Sequence, residues 1–246
     1  MNLLGIIPAR FGSTRFPGKP LAEIKGKPMI QRTWEQAKKA IDDVVIATDD
    51  ERIEKAVIKF GGKVFMTSSA HQSGTDRCAE VAEIISSGTE KVYDVIINIQ
   101  GDEPFIHPQQ ISLLAGCFRE EEVKIATLIK KITTPADIFN SNIPKVIFNK
   151  LGYALYFSRS PIPYVRGAEK KDWIRAYTYF RHLGMYAYRT GTLKEITQLE
   201  PAPLEMAESL EQNRWLENGY SIKLKETMME TISVDTPEDL DKVNRK

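Results

Sequence analysis

The chain has 246 residues, enough to bury a full core in one domain or in one domain with a small appendage. Its 34 basic and 33 acidic residues leave a net charge of +1. That balance argues against a nucleic-acid-binding domain, which carries a basic excess, so any phosphate ligand must be met by a local cluster. The apolar start is too short for a secretory signal and lacks a charged leader. No run approaches the roughly 18 apolar residues of a membrane span. The expectation is a cytoplasmic protein with no membrane partner. Cys78 and Cys117 form no C-x-x-C pair and fall inside helical patterns, which reads as two small buried residues.

In chain order, Leu3–Ile7 is a strand and Met29–Lys39 a helix. Val44–Thr48 is a strand whose Asp49-Asp50 ending suits the start of the next helix, Glu51–Phe60. Gly61-Gly62 closes that helix, and Lys63–Met66 is a short strand. Gly74–Ser86 is a helix, and Val95–Ile99 is a β-branched run typical of a strand buried on both faces. A helix at Pro108–Phe118 and a strand at Ile125–Ile129 follow. This alternation predicts an α/β fold with a mostly parallel central sheet and helices on both faces.

The rhythm changes after about residue 133. Val146–Asn149 and Tyr153–Phe157 read as a hairpin or as adjacent strands, and 164–178, polar and aromatic without a period, as a loop or flap. Leu183–Tyr188 is a strand, helices are expected around 190–198 and 204–217, and Ile222–Leu224 is a strand. Thr236-Pro237-Glu238-Asp239 starts a last helix, with Thr236 as its N-cap. The expectation is a single domain over 1–246 carrying a small β-rich subregion at about 150–200.

The first strand empties into Pro8-Ala9-Arg10-Phe11-Gly12-Ser13-Thr14-Arg15-Phe16-Pro17-Gly18-Lys19-Pro20. Glycines let backbone N–H groups approach an anion, and Arg and Lys supply charge, so the stretch suits phosphate; it also suits a basic, solvated turn. It is not a P-loop, because five residues separate Gly12 from Gly18 and Pro20 follows Lys19. Arg10, Ser13, Arg15 and Lys19 are the phosphate candidates, Arg15 being equally suited to pairing with a surface acid. In open parallel sheets ligands sit beyond the carboxyl ends of strands, where this loop, the Asp49 turn, His71–Arg77 and Asp102 all fall.

Asp102 stands at the tip of the buried Val95–Ile99 strand, after a glycine that permits close approach or an unusual backbone angle. A carboxylate there fits Mg²⁺ shared with a triphosphate, or a solvated acid capping the next helix, with Glu103 as a local competitor. Asp235 alone reads as helix-start chemistry. Three histidines and two cysteines without zinc-like spacing favour a hard, oxygen-ligated metal over zinc. Ser73-Gly74-Thr75 reads as a capped helix start, which also attracts anions. His182 fits a partly buried structural histidine, and Leu210-Glu211-Gln212 a solvated helix face.

Seven stretches, in order, resemble the 3-deoxy-manno-octulosonate (Kdo) cytidylyltransferases. They are the Ala9–Pro20 loop, His71-Gln72-Ser73-Gly74-Thr75-Asp76-Arg77, Gln100-Gly101-Asp102-Glu103-Pro104 and Gly152-Tyr153-Ala154-Leu155-Tyr156-Phe157-Ser158-Arg159. Arg181-His182-Leu183-Gly184, Leu210-Glu211-Gln212 and Val234-Asp235-Thr236-Pro237-Glu238-Asp239-Leu240 complete the set. The resemblance implies a nucleotide-diphospho-sugar-transferase-like fold and a homodimer with contacts in the 150–200 region. It implies a Mg²⁺-dependent cytidylyltransferase that converts CTP and Kdo to CMP-Kdo and pyrophosphate for lipopolysaccharide biosynthesis. It puts Asp102 and Asp235 on magnesium as catalytic residues with Arg10 and Lys19. The nucleotide would meet Ala9, Arg10, Ser13, Arg15, Lys19, His71, Ser73, Gly74, Thr75 and Arg77. The sugar acid would meet Gln100, Arg159, Arg166, His182, Tyr186, Glu211 and Gln212. A CMP-sialate synthetase, a sugar 1-phosphate nucleotidyltransferase and a nucleotide-binding regulator without turnover are the competing readings.

Overall fold

The computed structural model describes residues 1–12, 16–88, 91–230 and 234–245. Strand β1 (Leu3–Ala9) leads through a 3₁₀ turn at Lys19–Leu21 into a tight hairpin, β2 (Glu23–Ile24) and β3 (Lys27–Pro28). Then come α1 (Met29–Lys38), β4 (Val44–Thr48), α2 (Glu51–Lys59), β5 (Lys63–Met66), α3 (Gly74–Gly88), β6 (Val95–Asn98) and α4 (Pro108–Gly116). The chain continues through β7 (Ile125–Lys131), α5 (Pro135–Phe139), β8 (Lys145–Phe148), β9 (Ala154–Ser158), α6 (Trp173–Ala176) and β10 (Phe180–Arg189). It ends with α7 (Thr190–Ile196), α8 (Pro203–Glu208), α9 (Gln212–Glu217), β11 (Ile222–Glu226) and α10 (Pro237–Arg245). The α/β class and the mostly parallel sheet agree with the sequence reading.

The chain divides into two compact units. The first comprises Met1–Ala115, Ala187–Thr197 and Met229–Lys246. Its strands lie in the order β6-β1-β4-β5, all parallel. Every residue of β4 and of β6 is buried, which explains why Val95–Ile99 reads as a near-continuous β-branched run rather than an alternating one. Ala9, Thr48 and Met66 are in register at the carboxyl ends of their strands, so the segments that follow them emerge at one edge. Asp50 caps α2 by accepting from the Arg52 N–H at 2.9 Å. Ser73 and Asp76 cap α3 reciprocally, each side chain accepting from the other's N–H at 3.1 Å.

The second unit comprises Gly116–Tyr186 and Gln198–Met228. It is larger than the 150–200 subregion the sequence pattern marks, and residues 187–197 fall in the first unit. Here β7 and β11 are parallel, with Ile125 opposite Ile222. The β8–β9 pair is the expected antiparallel hairpin, with Lys145 opposite Ser158. Three expectations need correction. The stretch 164–178 is not all loop, because Trp173 is only 3% exposed and packs with Ile132, Ile138 and Tyr179, which draws its neighbours into α6. The 204–217 segment is two helices, broken where Ser209 takes a positive φ of 50°. Strand β10 runs well beyond Leu183–Tyr188 at its start. Both cysteines are buried, as expected.

Candidate active site

A cavity of about 300 Å³ opens at the carboxyl edge of the first unit's sheet. Its wall includes Ala9, Arg10 and Lys19 from the first loop, His71, Ser73, Gly74 and Arg77 from the start of α3, and Gln100, Gly101 and Asp102 beyond β6. Seven of the ten sequence-predicted nucleotide residues therefore converge on it. Thr75 is buried in the first turn of α3 and is not part of the wall. Ser13 and Arg15 lie outside the described residues.

The loop closes by a hydrogen bond from the Gly18 N–H to the Phe11 carbonyl at 2.9 Å. Gly18 has a φ of 72°, a conformation that favours glycine, and a Cβ there would meet the Phe11 ring at 3.1 Å. The Arg52 guanidinium lies 3.3 Å above the centre of the Phe11 ring. Lys19 begins the following 3₁₀ turn with its chain largely buried, so its ammonium is aimed rather than free.

That ammonium joins the two aspartates. Lys19 Nζ donates to Asp102 Oδ2 at 2.6 Å and to Asp235 Oδ1 at 3.1 Å. Asp235 arrives here because the Val234 N–H bonds the Asp102 carbonyl at 3.1 Å, while buried Val234 packs with Ile24, Met29 and Val243. Thr236 and Asp239 then cap α10 reciprocally, at 3.2 Å in each direction. Asp102 is brought close by Gly101, where a Cβ would stand 3.0 Å from the Pro8 carbonyl oxygen. Close approach, not backbone angle, is the reason for glycine at this position. Burial first, then the charges of Asp102 and Asp235, push the Glu103 carboxyl up to about 7.

Two carboxylates turned on one cation are the donor set of a hard metal, so Asp102 and Asp235 fit Mg²⁺. Among the described residues no group of three or more His, Cys, Asp and Glu side chains is placed to hold a metal. A bound ion would complete its coordination with ligand oxygens and water.

Other wall residues are tied down by partners the sequence did not announce. Arg77 is 4% exposed; it donates to Asp49 Oδ2 at 2.9 Å and to the Thr67 hydroxyl. His71 Nε2 lies 2.5 Å from Glu80 Oε2, and Glu80 also accepts from the Ser68 N–H at 2.9 Å. Gln100 Nε2 donates to Asn98 Oδ1 at 3.1 Å. The sequence reading places the Asp49 turn at this edge without pairing it to Arg77, and it contains neither Thr67 nor Glu80, for which only the i, i+3 spacing of Arg77 and Glu80 on α3 offers a signal.

The other sugar-acid candidates belong to the second unit. Arg159 donates from all three guanidinium nitrogens to backbone carbonyls. The His182 ring packs edge-on against Phe157 at 5.1 Å and beside Tyr186 at 5.2 Å, and lies 3.0 Å from the Thr127 hydroxyl. Burial depresses its pKa to about 3, so it is a neutral imidazole. Tyr186 also packs edge-on against Trp215 at 5.0 Å. Leu210 and Gln212 are 7% and 4% exposed, which rules out a solvated helix face there. Among the described residues the buried Gln212 amide nitrogen has no hydrogen-bond partner. Arg166 is exposed.

A family profile described as cytidylyltransferase matches residues 4–232. A 3-deoxy-manno-octulosonate cytidylyltransferase of Parabacteroides distasonis is 57% identical, over 98% of this chain and 96% of its own. One of Bacteroides thetaiotaomicron is 56% identical, again over 98% of this chain and 96% of its own. The chain belongs to the Kdo cytidylyltransferase family. A solved CMP:2-keto-3-deoxy-manno-octonic acid synthetase complexed with CTP superposes with a TM-score of 0.90 at 42% identity, covering 100% of this chain and 98% of that one. As a family member the chain is a nucleotidyltransferase, and the cavity just described lies beyond the carboxyl ends of parallel strands, where open α/β sheets bind ligands.

Proposed function

We propose that this Kdo cytidylyltransferase-family chain transfers CMP from CTP to Kdo, releasing pyrophosphate, with Mg²⁺ held by Asp102 and Asp235, in lipopolysaccharide biosynthesis. The observation that carries the reading is the Lys19 ammonium set between Asp102 and Asp235 at the wall of a cavity that Arg10 also lines. The relatives named above support the acceptor.

In the proposed reaction the acceptor hydroxyl attacks the α-phosphorus of CTP and pyrophosphate leaves in line. Arg10, Lys19, Ser13 and Arg15 bind the triphosphate, Arg10 and Lys19 neutralising charge as it builds on the leaving group. The amino end of α3, with His71, Ser73, Gly74 and Thr75, holds the nucleotide, and Arg77, braced by Asp49, fixes that end of the helix. Asp102 and Asp235 would hold the magnesium, whose chemistry is to lower the pKa of the acceptor hydroxyl and to screen phosphate charge.

For the sugar acid we assign Gln100, Arg159, Arg166, His182, Tyr186, Glu211 and Gln212. An arginine suits the carboxylate, and the open Gln212 amide suits a hydroxyl. We also propose a homodimer through the 150–200 region, where Leu151, Leu155 and Tyr164 are 74%, 57% and 74% exposed.

The test is pyrophosphate release from purified protein with CTP and Mg²⁺, with Kdo and sialic acid as parallel acceptors. Kdo-dependent release is expected, and it should vanish with chelator. Release with sialic acid alone would overturn the acceptor, and CTP binding without release from either would overturn turnover.

A further inference from the structure

Glu208, the last residue of α8, turns its carboxylate onto the end of β9. Its Oε1 accepts from the Ser158 hydroxyl at 2.5 Å and from the Tyr156 hydroxyl at 3.2 Å, and its Oε2 accepts from the Arg159 N–H at 2.9 Å. Behind the same residue, the Arg159 carbonyl accepts from Lys145 Nζ at 2.6 Å. Lys145 is fully buried, and its ammonium also donates to the Asn140 carbonyl at 2.9 Å. Both backbone polar groups of residue 159 therefore end on full charges of the matching sign, which makes both bonds charge-assisted. The hairpin register accounts for it: Lys145 stands opposite Ser158, one residue short of Arg159.

The side chain is held as firmly. Arg159 Nε donates to the Glu208 carbonyl at 2.6 Å, Nη1 to the Ser141 carbonyl at 3.0 Å and Nη2 to the Ser209 carbonyl at 3.2 Å. The positive φ of Ser209 ends α8 abruptly, just where the Glu208 and Ser209 carbonyls meet the guanidinium. A guanidinium has five N–H groups; three are engaged by the described residues, leaving one on each terminal nitrogen.

A buried lysine without a carboxylate in hydrogen-bond contact is a costly way to hold a hairpin, and hydrophobic residues of similar size would serve packing alone. The arrangement makes sense if the exact placing of Arg159 matters. We propose that Glu208 and Lys145 are positioning residues that clamp Arg159, so that its two remaining N–H groups form a preset fork for the carboxylate of the sugar acid. The clamp rests on the assignment of Arg159 to that acid. It acts by removing rotamer freedom before binding, when a loose arginine would lose it on binding.

The experiment compares Glu208→Gln in the wild-type and Arg159→Ala backgrounds, reading kcat/KM for Kdo from initial slopes and CTP affinity by calorimetry. Expected are a tenfold or greater fall in kcat/KM for Kdo and a CTP Kd within twofold of wild type. In the Arg159→Ala background the same substitution should change kcat/KM by less than twofold, because its effect passes through Arg159. A folded Glu208→Gln protein within twofold of wild type would overturn the clamp. So would a full-sized effect surviving in the Arg159→Ala background. If Glu208→Gln does not fold, Lys145→Met tests the opposite side against the same thresholds. A wild-type enzyme that uses another sugar acid and not Kdo would overturn the acceptor assignment, and the thresholds then apply to that acid.

Discussion

Asp102 and Asp235 share one ammonium, that of Lys19, at 2.6 and 3.1 Å. Asp102→Asn keeps the shape and a hydrogen-bond acceptor while removing the charge that would hold magnesium. We expect kcat to fall by about 100-fold or more, about 2.7 kcal/mol of barrier, with CTP affinity within about threefold. Steady-state kinetics beside nucleotide calorimetry check this, and a kcat within about threefold of wild type would remove the metal role. His182 yields a prediction about stability. Burial lowers its folded pKa to about 3 from an ordinary 6.5, so between those values the unfolded chain binds a proton that the native one refuses. Its contribution is present above pH 6.5 and is lost as pH falls toward 3. His182→Gln should make unfolding free energy less steep in pH by about 1.4 kcal/mol per unit in the middle of that window. Urea titrations at a series of pH values measure it, and an unchanged slope would show that His182 is protonated in the native state.

At the scale of elements, the strands were the most legible features. Val44–Thr48 and Val95–Ile99 announce themselves because a strand buried on both faces has no polar face to interrupt the run. The caps at Asp50, Ser73 and Thr236 were equally legible, being local chemistry between near neighbours. The 204–217 segment was not, since its helical periodicity carries no mark of the break at Ser209. That break goes with contacts to Arg159, far away in the chain. Nor was α6 legible, because Trp173 becomes a core residue only through Ile132, Ile138 and Tyr179. Gly101 lies between the two cases: its need for close approach was expected, its partner was not. Gly101→Ala places a Cβ 3.0 Å from the Pro8 carbonyl, and backbone must move to admit it. Chemical denaturation should show a loss of about 1–3 kcal/mol. Since Pro8 leads into Arg10 and Gly101 into Asp102, turnover should fall as well; a variant as stable and as active as wild type would show that the two segments are not in contact.

At the scale of the whole molecule, charge near zero and the 150–200 region bear on assembly. A chain with a net charge of +1 gains little protection from self-repulsion, and exposed Leu151, Leu155 and Tyr164 add apolar surface. Sedimentation velocity at micromolar concentration should show a species of about twice the 27.9 kDa chain mass. A single monomer boundary would remove the dimer. What the sequence by itself determined were the short-range features: the α/β rhythm, the phosphate-suited loop, the caps and, through its motifs, the family. Only the tertiary structure decided which charges meet. It set Lys19 between Asp102 and Asp235, Arg77 on Asp49, His71 beside Glu80, and Glu208 with Lys145 around Arg159. The reason is physical. Strand runs and caps express interactions among residues a few positions apart, whereas an ion pair forms wherever folding brings opposite charges within a few ångströms. With 34 basic and 33 acidic residues in the chain, composition leaves those pairings open, and burial and strand register select among them.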